Sequence, residues 1–262
     1  MFLPLRDDSP HTVTPYVNYG IIAACAAVYF WQASLGDRQG EIAVLRLGMI
    51  PGTIFGSVLV DPSVHRLPAV ATIFTSMFLH GGLFHLLGNM LYLWIFGPNI
   101  EASVGHKRYL AFYLLCGLAA ASAQILSMPS SEVPMIGASG AISGVLGAYF
   151  VLSPRANIKV LMLLIIFFTV INLPAFIVLG FWFVGQLLAQ AGADPNEPGV
   201  AFMAHIGGFI AGAMLVWFFR QRGVRMFAPA ASRAFASQRA SFRRNRGSVP
   251  DFNPRSRKGP WD

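Results

Sequence analysis

Long apolar segments are the feature of this sequence that most restricts its fold. Six segments approach the ~20 residues with which a helix crosses a ~30 Å hydrocarbon core. Hydrophobic residues make up 55% of the chain and charged residues only 11%, whereas soluble domains carry about 25% charged residues. We therefore expect an all-α polytopic membrane protein, a six-helix bundle with a short central fourth helix. The six segments are residues 17–34, 83–100, 109–126, 139–152, 174–188 and 200–219.

Basic residues indicate how these segments are oriented. Of the 19 Lys and Arg residues, 11 lie between positions 220 and 258, and basic loops favour the cytoplasmic side. Six crossings then place both termini in the cytoplasm. No removable signal peptide is evident, so the first span is expected to act as a signal anchor. The expected divisions are a cytoplasmic segment at 1–16, a core at 17–220 with an external loop at 35–82, and a basic disordered cytoplasmic tail at 221–262.

One further apolar stretch, residues 158–173, is an alternative seventh span. A seventh crossing would send the basic tail outside, against the distribution of charge. We expect a buried or in-plane segment that leads into the fifth span. The basic tail is expected to contact anionic lipid headgroups rather than nucleic acid.

Polar side chains inside membrane helices are costly, so each one suggests a function. On the six-crossing path, the second, fourth and sixth helices all begin on the outer side. His85 and Asn89 lie near the start of the second, Ser139 at the start of the fourth and His205 near the start of the sixth. At 1.5 Å per residue, Asn89 and His205 lie roughly 8–10 Å below the outer boundary. We expect the four side chains to meet at one depth.

The fourth helix is too short to cross the bilayer unaided, because residues 139–152 rise only about 21 Å. Its first residue, Ser139, must then lie below the outer surface, beside protein or a water-filled cavity. Free N–H groups at a helix start stabilise an oxyanion, and Asn89 could add a donor. A serine hydroxyl needs a neighbouring base to become a nucleophile. His205 is the best-placed candidate.

Glycines indicate how the fourth and sixth helices could approach each other. Gly140 and Gly144 form one small-x-x-x-small pair, and Gly208 and Gly212 form another. Such pairs let helix backbones come close in a membrane. Ser139 and His205 would then lie within hydrogen-bond reach, roughly 2.6–3.2 Å.

Other readings of the same residues compete with this one. A lone membrane histidine is also typical of a structural site or of a proton path in a transporter or channel. A metal site at His80 and His85 is disfavoured, because their spacing does not share a helix face. Cys25 and Cys116 lie in apolar runs and are expected to be inert packing residues.

Three motifs in order resemble those of the rhomboid intramembrane proteases. Residues 75–82 (TSMFLHGG), followed by His85 and Asn89, resemble the second-span signature of that family. The run Gly137-Ala138-Ser139-Gly140 resembles its nucleophile motif. Ala204-His205, followed by Gly208 and Gly212, resembles its last-span motif, and Glu101 and Gly105 stand where the family keeps a Glu and a Gly.

The resemblance covers about residues 72–219 and implies a serine endopeptidase. Ser139 would be the nucleophile and His205 the general base of a dyad without an acidic member. His85, Asn89 and the backbone N–H of Ser139 would bind the oxyanion. Substrates would be single-span membrane proteins cut near their outer end, with no cofactor and no metal. We expect a bacterial plasma membrane, with an organelle membrane as the alternative.

The family also defines a rival and two differences. Catalytically inactive relatives bind transmembrane helices, but they typically lack one or both dyad residues. Some members carry a Trp-Arg pair where this chain has Ala71 and Thr72. Some carry an aromatic residue that stacks on the histidine, where this chain has Ser143. We expect a hydrogen bond from Ser143, or packing at glycines, to hold His205 instead.

Overall fold

The computed structural model describes residues 2–9, 13–61, 64, 67–164, 167–192 and 199–230. Most of these residues are helical. The helices are α1 (Tyr16–Ser34), α2 (Asp37–Leu47), α3 (Pro51–Ile54), α4 (Ala69–Thr75), a 3₁₀ turn (Ser76–Phe78), α5 (Leu83–Val104), α6 (His106–Ser127), α7 (Ser139–Leu152), α8 (Ala175–Ala191) and α9 (Phe202–Phe219).

Helices occupy all six predicted apolar segments, as α1 and α5 to α9. By length and hydropathy, α6 and α9 could each cross a membrane. A third candidate joins α4 and the 3₁₀ turn to α5, with a bend of 81° at the break. The helices α7 and α8 are apolar but shorter. A mostly helical membrane protein is thus confirmed, and the count of six crossings stays a prediction.

The described residues of the apolar stretch 158–173 form strands rather than a helix. Strand β2 (Asn157–Leu164) pairs antiparallel with β3 (Phe167–Pro174) on one side and with β1 (Phe2–Asp7) on the other. The all-α prediction is therefore wrong for these segments, and no seventh helix forms there. Val, Ile and Phe favour strands. Pairing also supplies partners for backbone groups that a lone apolar segment would leave unsatisfied.

Buried polar contacts fix the N-terminal segment to the helical core. The Tyr149 hydroxyl on α7 donates to the Asp7 carboxylate at 2.8 Å, and it lies 2.9 Å from the Ser9 hydroxyl. Asp8 accepts from the backbone N–H and the side-chain amide of Asn157 at 2.8 and 2.7 Å. The three-stranded sheet is thereby attached to the C-terminal end of α7.

The fully buried carboxylate of Glu101, near the end of α5, holds the start of α1. It accepts from the backbone N–H groups of Val17 and Asn18 at 3.0 and 2.7 Å. A helix start offers unpaired N–H donors and a positive dipole end, so a carboxylate is stabilising there. His106 also bonds to Glu101. Glu101, on α5, therefore bonds to both α1 and α6.

Glycines bring α7 and α9 into backbone contact. A Cβ on Gly208 would overlap the carbonyl oxygen of Gly140, and a Cβ on Gly212 would overlap that of Gly144. Farther along α7, a Cβ on Gly147 would overlap the carbonyl of Phe209. The backbones of the two helices thus come into contact over about two turns of α7, from Gly140 to Gly147.

The beginning of the predicted disordered tail is folded back onto the core. The backbone N–H of Gln221 donates to the carbonyl of Ser103, and those of Phe227 and Ala228 donate to Val151 and Leu152. The prediction of disorder does not apply to residues 221–230. The remainder of the predicted tail lies outside the described residues.

Replacing Gly212 with Ala should destabilise the fold by about 1–3 kcal/mol, because the added methyl overlaps the α7 backbone. The free energy of unfolding in mixed detergent micelles measures this. Gly20→Ala on α1 is the matched control, since a Cβ there meets nothing within 4 Å. Equal stability of the two variants would contradict the packing described.

Candidate active site

A cavity of about 490 Å³ lies beside the N-terminal end of α7. Its walls come from helices α4 to α9, from the 3₁₀ turn and from the loop before Ser139. His85, Asn89, Ser139 and His205 all line it. The structure thus brings together the four side chains that the sequence placed at one depth.

Ser139 and His205 are in direct contact. Ser139 is the first residue of α7, and His205 lies in the first turn of α9. The Ser139 Oγ and the His205 Nε2 are 2.8 Å apart, and His205 is only 9% exposed. The distance follows from the glycine contacts between the two helices. It also suits proton transfer from a hydroxyl to an imidazole.

The loop before Ser139 needs glycine at position 137. Gly137 has a φ of +122°, in a region that side chains rarely adopt. A Cβ there would lie 2.9 Å from the His85 ring. The backbone N–H of Gly137 donates to Ser76 at 2.9 Å, and Met49 and Met135 pair through their backbones. The loop is thereby held against His85.

Several hydrogen-bond donors converge beside the Ser139 hydroxyl. The His85 Nδ1 accepts from the N–H of Gly81 at 3.4 Å, which leaves the Nε2, on the Gly137 side of the ring, free to act as a donor. One turn later on α5, the Asn89 Nδ2 is buried and has no acceptor among the described residues. The first amides of α7 lack partners within the helix. The group can stabilise a negative charge that develops near Ser139.

Comparison with known proteins places this fold in a family. The rhomboid-domain family model matches residues 68–222, more than half of the chain. The chain belongs to the rhomboid family. All four cavity residues lie within this rhomboid domain, which spans α4 to α9 and the β2–β3 hairpin.

Curated relatives come from bacteria, plants and animals. The rhomboid protease GluP of Bacillus subtilis is 36% identical over 141 residues, covering 53% of this chain and 24% of GluP. RHOMBOID-like protein 5 of Arabidopsis thaliana is 32% identical over 147 residues, covering 53% and 40%. The mitochondrial presenilin-associated rhomboid-like protein of Bos taurus is 30% identical over 204 residues, covering 72% and 50%. The chain matches a quarter to a half of these relatives' lengths.

At position 143, where some rhomboids have an aromatic residue that stacks on the histidine, this chain has a serine. The Ser143 hydroxyl donates to the carbonyl of Ser139 at 2.7 Å and makes no bond to His205. Instead, α8 contacts His205. The His205 Nδ1 lies 2.7 Å from the Gln186 Oε1, and the Trp182 and His205 rings are 5.9 Å apart.

Sequence reasoning missed the two α8 residues. Trp182 and Gln186 are spaced by four, and so share a helix face. A glutamine within an apolar helix is the signal that could have identified this face.

Metal ligands do not cluster in the part of the chain that the structure describes. No three His, Cys, Asp or Glu residues there come together as a metal site. His80 and His85 meet edge to face with ring centroids 5.3 Å apart. The backbone N–H of His80 donates to Gln32 on α1 at 3.1 Å. His80 thus connects the 80–82 turn to α1.

A cysteine at position 139 should react with a membrane-impermeant, negatively charged thiol reagent, because the half-buried Ser139 lines an open cavity. The parent protein gives no background, since Cys25 and Cys116 are free and fully buried. Mass spectrometry of the protein in liposomes measures the adduct.

Ser143→Cys provides the control for this labelling. Ser143 lies one turn farther along α7 and is 1% exposed, so it should stay unmodified. Equal rates at positions 139 and 143 would contradict the greater exposure of the side chain at 139.

Proposed function

We propose that this rhomboid is an intramembrane serine endopeptidase in which Ser139 is the nucleophile and His205 the general base. The observation that carries the proposal is the 2.8 Å contact between the Ser139 Oγ and the His205 Nε2 inside a cavity of about 490 Å³. The similarity to the Bacillus rhomboid protease GluP agrees with it. The presence of both residues disfavours an inactive relative.

Hydrolysis would proceed in two stages. His205 takes the hydroxyl proton as the Ser139 Oγ attacks the scissile carbonyl carbon, and it then gives that proton to the leaving amine. The resulting acyl-enzyme is attacked by water, whose proton passes to His205 and then back to Ser139. The cavity supplies the water that this second stage needs within an apolar surrounding. The reaction requires no cofactor and no metal.

The oxyanion of each tetrahedral intermediate would be stabilised by three donors. They are the Asn89 Nδ2, the His85 Nε2 and the backbone N–H of Ser139. The unpaired, buried Asn89 amide supports this role most directly, because a buried donor without a partner is costly unless a ligand uses it. The positive dipole end of α7 adds to the same field.

Substrates are proposed to be single-span membrane helices, cut near their outer end. A helix buries its own carbonyls in hydrogen bonds, so the scissile segment must unwind before it reaches Ser139. Small or helix-weakening residues reduce that cost.

The proposed topology has six crossings, with both termini cytoplasmic and residues 35–82 outside, in a bacterial plasma membrane. The basic tail would contact anionic headgroups, and no nucleic-acid role is assigned to it. The start of α7 then faces the outside. The reagent that labels Ser139→Cys should act from the outer face and not from the cytoplasmic face.

Ser139→Ala should lower cleavage of a transmembrane reporter in liposomes at least about 10³-fold, since no other group replaces the nucleophile. A fluorophosphonate should label the parent at Ser139, and this labelling should disappear in His205→Ala. Gel analysis of the reporter and of the fluorescent adduct measures both.

Ser122→Ala is the control for these variants, because its hydroxyl donates to the α6 carbonyl of Leu118, away from the dyad. It should cleave at the parent rate. If Ser139→Ala cleaved as fast as Ser122→Ala, the protease proposal would be wrong.

Asn89→Ala should lower kcat about 10²–10³-fold, because it removes a donor to the oxyanion. Asn99→Ala, at the far end of the same helix, tests whether loss of any α5 amide has this effect. Steady-state cleavage of the reporter separates kcat from KM. Equal kcat values for the two variants would exclude Asn89 from the oxyanion site.

A further inference from the structure

The second ring nitrogen of His205, Nδ1, contacts a side-chain amide rather than a carboxylate. The His205 Nδ1 lies 2.7 Å from the Gln186 Oε1. A carbonyl oxygen can only accept, so the Nδ1 carries the proton in this contact. The Nε2 of the neutral ring then has a free lone pair, and it lies 2.8 Å from the Ser139 hydroxyl.

The tautomer decides whether the pair can react. With the proton on Nε2, the imidazole would donate to the serine and could not take its proton. With the proton on Nδ1, it is a base aimed at the hydroxyl. An acceptor fixed beside Nδ1 selects the second state. Among the described residues no Asp or Glu lines the cavity. The acceptor beside the His205 Nδ1 is the Gln186 amide.

The surroundings of Gln186 indicate that its direction is set by the fold. Phe181, Val184, Leu187 and Leu188 are exposed on the outer side of α8. Gln186 is half-buried and faces His205. Trp182, one turn earlier, lies beside the same imidazole. One face of α8 therefore supplies an aromatic wall and a hydrogen-bond acceptor to a residue of α9.

We propose that Gln186 is a positioning residue, which holds His205 in the Nδ1–H tautomer and so presents an unprotonated Nε2 to Ser139. The catalytic consequence rests on the proposed protease function, whereas the orientation of the ring does not. Gln186 does not touch the reacting atoms; it acts through His205.

Two substitutions at Gln186 test the proposal by kinetics. Gln186→Leu removes the acceptor and should lower kcat about 10–100-fold, with KM within about twofold of the parent. Gln186→Glu keeps an acceptor of the same length and should restore most of kcat. Gln190→Leu, one turn later on the same helix, is the matched control and should behave as the parent does.

A second measurement reports the tautomer without any turnover. Solid-state ¹⁵N spectra of histidine-labelled protein in liposomes distinguish protonated from unprotonated ring nitrogens. The His205 signals are identified by their loss in His205→Ala. The parent and Gln190→Leu should show a protonated Nδ1 and a bare Nε2, and Gln186→Leu should lose this preference.

The two measurements separate the proposals. If Gln186→Leu matched Gln190→Leu in kcat and in the tautomer of His205, the positioning role would be overturned, while cleavage by the parent would still support the protease. If the parent cleaved nothing, the protease proposal would fail. Loss of the Nδ1–H state in Gln186→Leu would even then support the role of Gln186 in orienting the ring.

Discussion

The contact between the backbones of α7 and α9 is the interaction on which the site depends. Lipid tails are as apolar as leucine side chains, so helices in a membrane associate through close packing and polar contacts. Gly208 and Gly212 allow the α9 backbone to meet the α7 carbonyls of Gly140 and Gly144. Ser139 and His205 lie at the same end of this contact. Their separation is therefore a property of the helix pair rather than of the two side chains.

Helix α5 carries a polar cluster near each of its ends, one of hydrogen-bond donors and one around an accepting carboxylate. Its first turns carry His85 and Asn89, which offer donors to the cavity. Its last turns carry Glu101, whose carboxylate accepts from the start of α1 and from His106. At this end, Glu101 accepts hydrogen bonds from amides at the start of α1 that have no partner within their own helix. The amide of Asn89, in contrast, is left without an acceptor, as expected of a group that a reacting molecule completes.

The sequence predicted the helices and the cavity residues because membrane spans produce a strong, length-limited apolar signal, against which polar residues stand out. It did not predict the sheet. Strand β1 lies about 150 residues before its partner β2, and β2 and β3 lie in a continuous apolar run without the alternation of apolar and polar residues that marks a strand. Gln186 was missed for a related reason. The distance between a residue of α8 and a residue of α9 depends on how the helices pack, and apolar periodicity does not contain that information.

The sheet also delays the folding of its first strand during synthesis. Strand β1 is made before its partner β2, which follows about 150 residues later. At roughly 5–20 residues per second, the ribosome needs roughly 8–30 s to supply that partner. For that interval Phe2–Asp7 has an unpaired edge, and the carboxylate of Asp7 lacks the hydroxyl of Tyr149. Residues Phe2–Asp7 are therefore made well before their partner strand, and they can reach their native place only after β2 has been synthesised.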